Sequence, residues 1–227
     1  MLSPSSLPIL FNFSPFYYFI RMITAYLILC LVSPLFCLTP QEAADRAKTS
    51  WAKADNFIAE FSLEVHWDLS GEINRDEGTV YIQKPDKYRL ETTQSVVVTD
   101  GKTFYRYSKA KNQVMVNDLI NAEESYNPQS LFINTLLRFK AETQEDVVLG
   151  KKNLLKIHML PQDPKDFIVS LELYITPDTY QIKRIEMKDK SDNLSYYTIK
   201  SLKTPSSIPA RHFLFTPPAG AELLDLR

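Results

Sequence analysis

The groups that could do chemistry in this chain are few and scattered. His66, His158 and His212 stand far apart, with neither HExxH nor His-x-His spacing, so no zinc site or general-base set is spelled out. Both cysteines, Cys30 and Cys37, fall in an uncharged N-terminal stretch, and the rest of the chain has no thiol to act as nucleophile, metal ligand or disulfide partner. The sequence holds no G-x-S-x-G, P-loop or G-x-G-x-x-G, and 5 glycines leave little material for loops that cradle phosphate. Carboxylates are plentiful but fall on polar strand faces and in turns, where they are simply hydrated. The sequence therefore predicts no enzyme, no catalytic residue, no metal and no cofactor. What it offers instead is apolar surface: aromatic residues make up 12% of the chain, and many lie on strand-patterned segments.

The clearest such segment runs from Gly78 to Tyr107. It contains a Lys84-Pro85-x-x-Tyr88-Arg89 break, then Val96-Val97-Val98, then Asp100-Gly101-Lys102-Thr103, then alternating aromatics. Asp100-Gly101 predicts a type I′ hairpin. Ahead of it, Ala59, Phe61, Leu63, Val65 and Trp67 alternate with polar residues over Phe57–Leu69, the period of a long half-buried strand. Residue by residue, such alternation is the core face of a sheet; only collectively do the aromatics argue for a cavity.

Two helices are expected around these strands. Thr39-Pro40-Gln41-Glu42 reads as a capping box with proline at the first helical position, opening a helix to about Ala54. Asn127-Pro128 opens a second, with Leu131, Phe132, Leu136 and Phe139 on one stripe. Beyond it the strand period returns over Asp146–Leu149, Leu154–Leu160, Phe167–Ile175, Tyr180–Lys188 and Leu194–Leu202. The reading is one domain of about ten or eleven strands and two helices. An antiparallel sheet of that size twists and curls, and helices at its mouth could plug a half-closed barrel.

The N-terminus differs from the rest. Up to Leu38 the one charged residue is Arg21, and the run 22–38 is shorter than the about 20 apolar residues of a membrane span and is broken by Pro34. Residues 1–37 read as a signal peptide, with Met22 as an alternative start, and 38–227 as the mature domain. An uncleaved anchor is the other reading, and lipidation of Cys37 a third. Net charge is −1 with no basic block, which argues against nucleic-acid partners.

The ordered set of motifs resembles the LolA family of periplasmic outer-membrane lipoprotein carriers. It comprises Gly78-x-Val80-x-Ile82-x-Lys84-Pro85-x-x-Tyr88, Val97-Val98-Thr99-Asp100-Gly101-Lys102-Thr103-Phe104-Tyr105-x-Tyr107, the Asn127-Pro128 helix, Phe213-x-Phe215-Thr216-Pro217-Pro218-x-Gly220 and Asp225-x-Arg227. The resemblance implies a mainly β fold with some α: a curled antiparallel sheet forming an incomplete, half-open β-barrel under a lid of about two or three helices. It implies a monomeric periplasmic carrier that takes acylated lipoproteins from an inner-membrane ABC transporter and hands them to an outer-membrane acceptor. The cavity it implies is lined by Phe61, Leu63, Val65, Trp67, Tyr81, Tyr88, Leu90, Val98, Phe104, Leu131, Phe132, Leu136 and Phe139, with Tyr88 at the mouth. Lys84 takes the place of the family's usual arginine as lid latch, with Arg89 a candidate stand-in. An alternative within the same half-barrel is a membrane-anchored envelope sensor or lipid-binding module. Each buried CH₂ is worth about 0.8 kcal/mol, so three acyl chains of roughly 15 methylenes represent about 35 kcal/mol and need an apolar carrier to cross water.

Overall fold

The computed structural model describes residues 38–121 and 135–227. Thr39 opens helix α1, Pro40–Ala52, as its sequence dictates. The Thr39 hydroxyl accepts from the Glu42 backbone N–H, and the Glu42 carboxylate accepts from the Thr39 N–H at 2.9 Å. The bond from the Thr39 N–H, with a second from the Thr39 hydroxyl, holds the Glu42 carboxyl below its ordinary pKa.

Twelve strands follow: β1 (Asn56–His66), β2 (Ile73–Gln83), β3 (Lys87–Thr92), β4 (Ser95–Asp100), β5 (Thr103–Ser108), β6 (Gln113–Asp118), β7 (Phe139–Leu149), β8 (Lys152–Pro161), β9 (Ile168–Ile175), β10 (Ile182–Asp189), β11 (Leu194–Lys203) and β12 (Glu222–Asp225). They form one sheet in the order β12-β6-β5-β4-β3-β2-β1-β11-β10-β9-β8-β7. Every neighbouring pair is antiparallel except β12 with β6, which is parallel. The sheet is not closed into a barrel, since β12 and β7 remain its two edges.

Three sequence expectations change here. The lid of two or three helices is not what the described residues hold: α1 is the one full helix among them. The second expected helix begins at Asn127, outside the described residues, and only the helical turn Thr135–Leu137 belongs to the described part. Phe139 starts a strand rather than ending a helix, because β7 pairs with β8 from Phe139↔Pro161 onward. The Asp100-Gly101 hairpin is offset by one residue. Gly101 and Lys102 form the two-residue loop, and Gly101, at φ +97, takes the first loop position, which a type II′ turn gives to glycine.

Period-two alternation assigns each strand two faces. One, the inner face, carries α1. Its buried side chains include Phe57 and Ala59 on β1, Val80 and Ile82 on β2, Phe104 on β5, Ile157 and Met159 on β8, and Leu171 and Leu173 on β9, in one cluster with Ala43, Ala44, Ala47 and Trp51 of the helix. Trp51 stacks on Phe57 with ring centroids 5.2 Å apart. The helix start runs along the β7 edge: the Ala141 N–H donates to Gln41 Oε1 and Gln144 Nε2 donates to the Leu38 carbonyl. The Ala141 N–H, an edge group that could otherwise template another strand, is thereby occupied. At the other edge, β12 covers β6.

The opposite, outer face has its own smaller apolar layer. Val96, Val98, Val114 and Val116 are buried there, together with Ile208 and Phe213 of the C-terminal segment. Phe215 packs on Tyr105 at 5.3 Å, and His212 stacks on Tyr81 at 4.6 Å. The Phe213-x-Phe215 motif is thus the means by which the chain end straps itself to the sheet.

Candidate functional site

Along β1, among the described residues, the inner face is filled at one end and opens at the other. Along β1 the inward side chains run Phe57, Ala59, Phe61, Leu63, Val65 and then Trp67 just past the strand. Phe61 is 6% exposed, Leu63 and Val65 are half-buried, and Trp67 is 42% exposed. Burial declines because α1 ends at Ala52, where Trp51 stacks on Phe57. Beyond it the apolar stripe continues without a helix above it among the described residues. Inward positions continue the stripe on the β11 side, with Tyr197 opposite Leu63, Ile199 opposite Phe61, and Met187 on β10, whereas on the β2 side Leu63 and Val65 face Asp76 and Asn74. Burial raises the Tyr197 hydroxyl pKa above its ordinary value.

Gly78 lies opposite Phe61 on β2. A Cβ there would sit 2.2 Å from the Glu91 backbone oxygen. A side chain at this position would push β2 and β3 apart, so glycine is what lets the two strands meet beneath Phe61. At the same end Asp76 Oδ1 accepts from the Thr93 N–H and hydroxyl, tying the β3–β4 turn to β2.

The sequence-predicted residues divide by face. Phe61, Leu63, Val65 and Trp67 share the inner face of β1. Tyr88 and Leu90 lie inward on β3, since they pair with Ile82 and Val80. Phe104 lies inward opposite Thr99. Leu136 and Phe139 join the same buried cluster. Tyr88 is buried, which pushes its hydroxyl up to about 12. Tyr81 and Val98 lie elsewhere. Each alternates with inward residues (Val80 and Ile82; Val97 and Thr99) and so faces outward, under the C-terminal strap. Leu131 and Phe132 lie outside the described residues.

The two latch candidates also separate. Lys84 reaches α1: its Nζ donates to the Trp51 carbonyl at 3.5 Å and lies 5.5 Å from the Phe57 ring centroid. A cation at a helix C-terminus is stabilised by the exposed carbonyl dipoles. Arg89 pairs with Tyr81 across β2–β3, hence faces outward, and is held by Glu91 at 3.0 Å. It does not reach the helix. A second tie escaped sequence reading. Arg46 of α1 donates to the Tyr180 hydroxyl at 2.8 Å and lies over its ring, fixing the helix to the β9–β10 turn. Neither partner sits in a motif, so no sequence signal marks the pair.

The outer face is polar where the strap does not cover it. A depression of about 450 Å³ there is lined by Glu64, Arg75, Glu77, Arg184, Tyr196 and Lys200, among others. Its charges are already matched: Glu64 with Arg75 and His66, Lys200 with Glu77, Arg184 with Glu186. Such internally paired charge is a solvated sheet face, and the apolar inner face is the better candidate site. Among the described residues no cluster of His, Cys, Asp and Glu has metal-holding geometry.

The family model for "Outer membrane lipoprotein carrier protein LolA" matches residues 52–216. An outer-membrane lipoprotein carrier protein of Proteus mirabilis is 27% identical over 178 residues, covering 77% of this chain and 84% of the relative. An uncharacterized protein of Methanocaldococcus jannaschii is 25% identical over 197 residues, covering 83% of this chain; the match spans only 56% of that relative's length. Among solved structures, an uncharacterized conserved protein from Thermus thermophilus superposes with a TM-score of 0.52 at 15% identity, covering 82% of this chain and 98% of its own. This last likeness concerns the fold alone.

Proposed function

The chain belongs to the LolA family, and from that premise we propose that it is a periplasmic carrier that holds the acyl chains of lipoproteins against the open part of its inner face. The observation that carries the reading is the β1 stripe, apolar throughout and passing from buried Phe61 to exposed Trp67. A carrier needs such a gradient: apolar enough to replace bilayer, open enough to release. Leu63, Val65, Tyr197 and Met187 line the route, while Tyr88 and Leu90 lie farther along the same face, level with Phe57 and Ala59. Lys84 serves as the tie that keeps α1 seated. The donor we propose is an inner-membrane ABC transporter and the recipient an outer-membrane acceptor, the partners that the resemblance to the family implies.

The test is direct. Purified 38–227 should bind a hydrophobic fluorophore, and a triacylated lipoprotein should displace it. A probe that never binds, or that the lipoprotein cannot displace, removes the proposal. The uncharged run at 22–38 supports a second reading, an anchored envelope module that binds lipid without shuttling. N-terminal sequencing of the protein from cells separates the two, because a shuttle must be freed from its leader.

A further inference from the structure

The inner face changes character along a single row of the sheet. Phe61 stands opposite Ile199 on β11 and Gly78 on β2, and Gly78 stands opposite Thr92 on β3. The row continues through Ser95 on β4, Ser108 on β5, Gln113 on β6 and Glu222 on β12. It is apolar at Ile199 and Phe61, bare at Gly78, and polar beyond. The neighbouring inward row runs Leu90, Val97, Arg106 and Met115, so a guanidinium stands on the same face two residues from Ser108. Ser95, Arg106, Ser108 and Gln113 are all half-buried. Other polar groups nearby serve the fold. Thr92 Oγ1 accepts from the Gln94 and Ser95 N–H groups and closes the β3–β4 turn. Asp76 Oδ1 accepts from the Thr93 N–H, Lys109 Nζ donates to the Thr92 carbonyl at 2.6 Å, and Glu222 accepts from Gln113 at 3.0 Å.

We propose that Ser95, Arg106 and Ser108, with Gln113 beside them, bind the carbonyl-rich head of an acylated peptide: the ester and amide oxygens of the lipid-modified residue and the first peptide groups after it. The inference rests on the carrier reading above and assigns each part of the ligand a place. Acyl chains lie on the stripe from Phe61 to Val65, and the head crosses Gly78 onto β4 and β5. The chemistry of the row fits acceptors. Arginine donates and never accepts, serine hydroxyls donate as well as accept, and the carboxylate of Glu222 is engaged by Gln113. A carbonyl drawn up to an apolar stripe loses water, and leaving it without a donor is costly. Donors at the border of the stripe remove that cost. The reach also fits. Strands lie about 4.8 Å apart, which puts Ser95 about 14 Å from Phe61 along the sheet, the span of about four extended residues. Gly78 has no side chain to stand in the crossing.

The experiment titrates the purified protein with two ligands, a tripalmitoyl-cysteinyl peptide and diphenylhexatriene, a hydrocarbon fluorophore with no carbonyl. Ser95→Val/Ser108→Val and, separately, Arg106→Met should each weaken the lipopeptide about tenfold and leave diphenylhexatriene within about twofold. Valine suits a strand and adds apolar area, so a face that recognises chains alone predicts tighter lipopeptide binding in the serine variant. Thermal melting checks that each variant folds, and if Arg106→Met does not, the serine variant decides alone. Lipopeptide affinity that is unchanged or increased in the folded serine variant, or an equal loss for both ligands, overturns the subsite and leaves the carrier reading standing. Failure of the lipopeptide to bind the parent protein overturns both.

Discussion

The Nζ of Lys84 lies 3.5 Å from the carbonyl oxygen of Trp51, so the residue before Pro85 holds the C-terminal turn of α1 to the sheet. The contact joins the one full helix among the described residues to the strand pair that borders the apolar stripe. It also sets Lys84 over Phe57, against which Trp51 stacks.

Replacing Lys84 by leucine should leave the fold intact and cost about 1 kcal/mol, the scale of one charge-assisted bond to a helix terminus. Urea unfolding measures it. If the tie governs seating of the helix, the same variant should change the rate at which a hydrophobic probe loads, and Lys84→Arg should restore it. An unchanged loading rate in Lys84→Leu would reduce Lys84 to a stabilising contact.

Gly78→Ala should be far more damaging than its size suggests. The added methyl would meet the Glu91 backbone oxygen at 2.2 Å, and backbone cannot swing aside as a side-chain tip can. We expect loss of several kcal/mol, beyond the about 1–3 kcal/mol of ordinary overpacking. Thermal melting and the yield of soluble protein report it. A variant as stable as the parent would show that β2 and β3 can part freely.

The capping box gives a milder test. Thr39→Ala removes the hydroxyl that accepts the Glu42 N–H, at a cost of about 1 kcal/mol. Because the Glu42 carboxyl is held low by the Thr39 N–H and hydroxyl, its share of stability is present above the ordinary carboxylate range and is lost as pH falls. The difference between Thr39→Ala and the parent should therefore narrow in acid.

Alkali should act through Tyr88. Burial raises its hydroxyl from 10.0 to about 12, so the folded chain keeps a proton that the unfolded chain gives up first. Stability is then full below pH 10 and declines as pH rises from 10 towards 12. Tyr88→Phe should flatten that decline relative to the parent. Tyr174 and Tyr197, whose pKa values are also raised, would keep part of the slope. A melting temperature with the same alkaline slope in the variant and the parent would exclude Tyr88 as a contributor.

Some of this was legible in the residues. Thr39 and Glu42 wrote the start of α1, since capping is decided within four residues. The strict alternation from Phe61 to Trp67 wrote one face of β1, since a side-chain period of two needs no distant partner. The ordered motifs wrote the family. Tyr81 and Val98 show where that legibility stopped. Thr79-Val80-Tyr81-Ile82 and Val96-Val97-Val98 place apolar residues at adjacent positions, so both faces look like core. Which residue faced inward depended on the strap of Ile208, Phe213 and Phe215 covering the other side. Gly78 was visible as a motif residue, but its reason, the close approach of Glu91, was not.

The sequence by itself determined the local terms: helix cap, strand period and turn glycines. Those are properties of a few consecutive side chains and their backbone. The tertiary structure alone decided which faces were shared, because β1 pairs with β11 across most of the domain and the pairing shifts at Glu60/Phe61. It decided that Lys84 and not Arg89 reaches the helix, because neighbouring strand positions of opposite parity point to opposite sides of the sheet. It also decided where the apolar stripe runs out from under α1. That depends on the length and placement of a helix packed on strands far away in the chain, which no local pattern encodes.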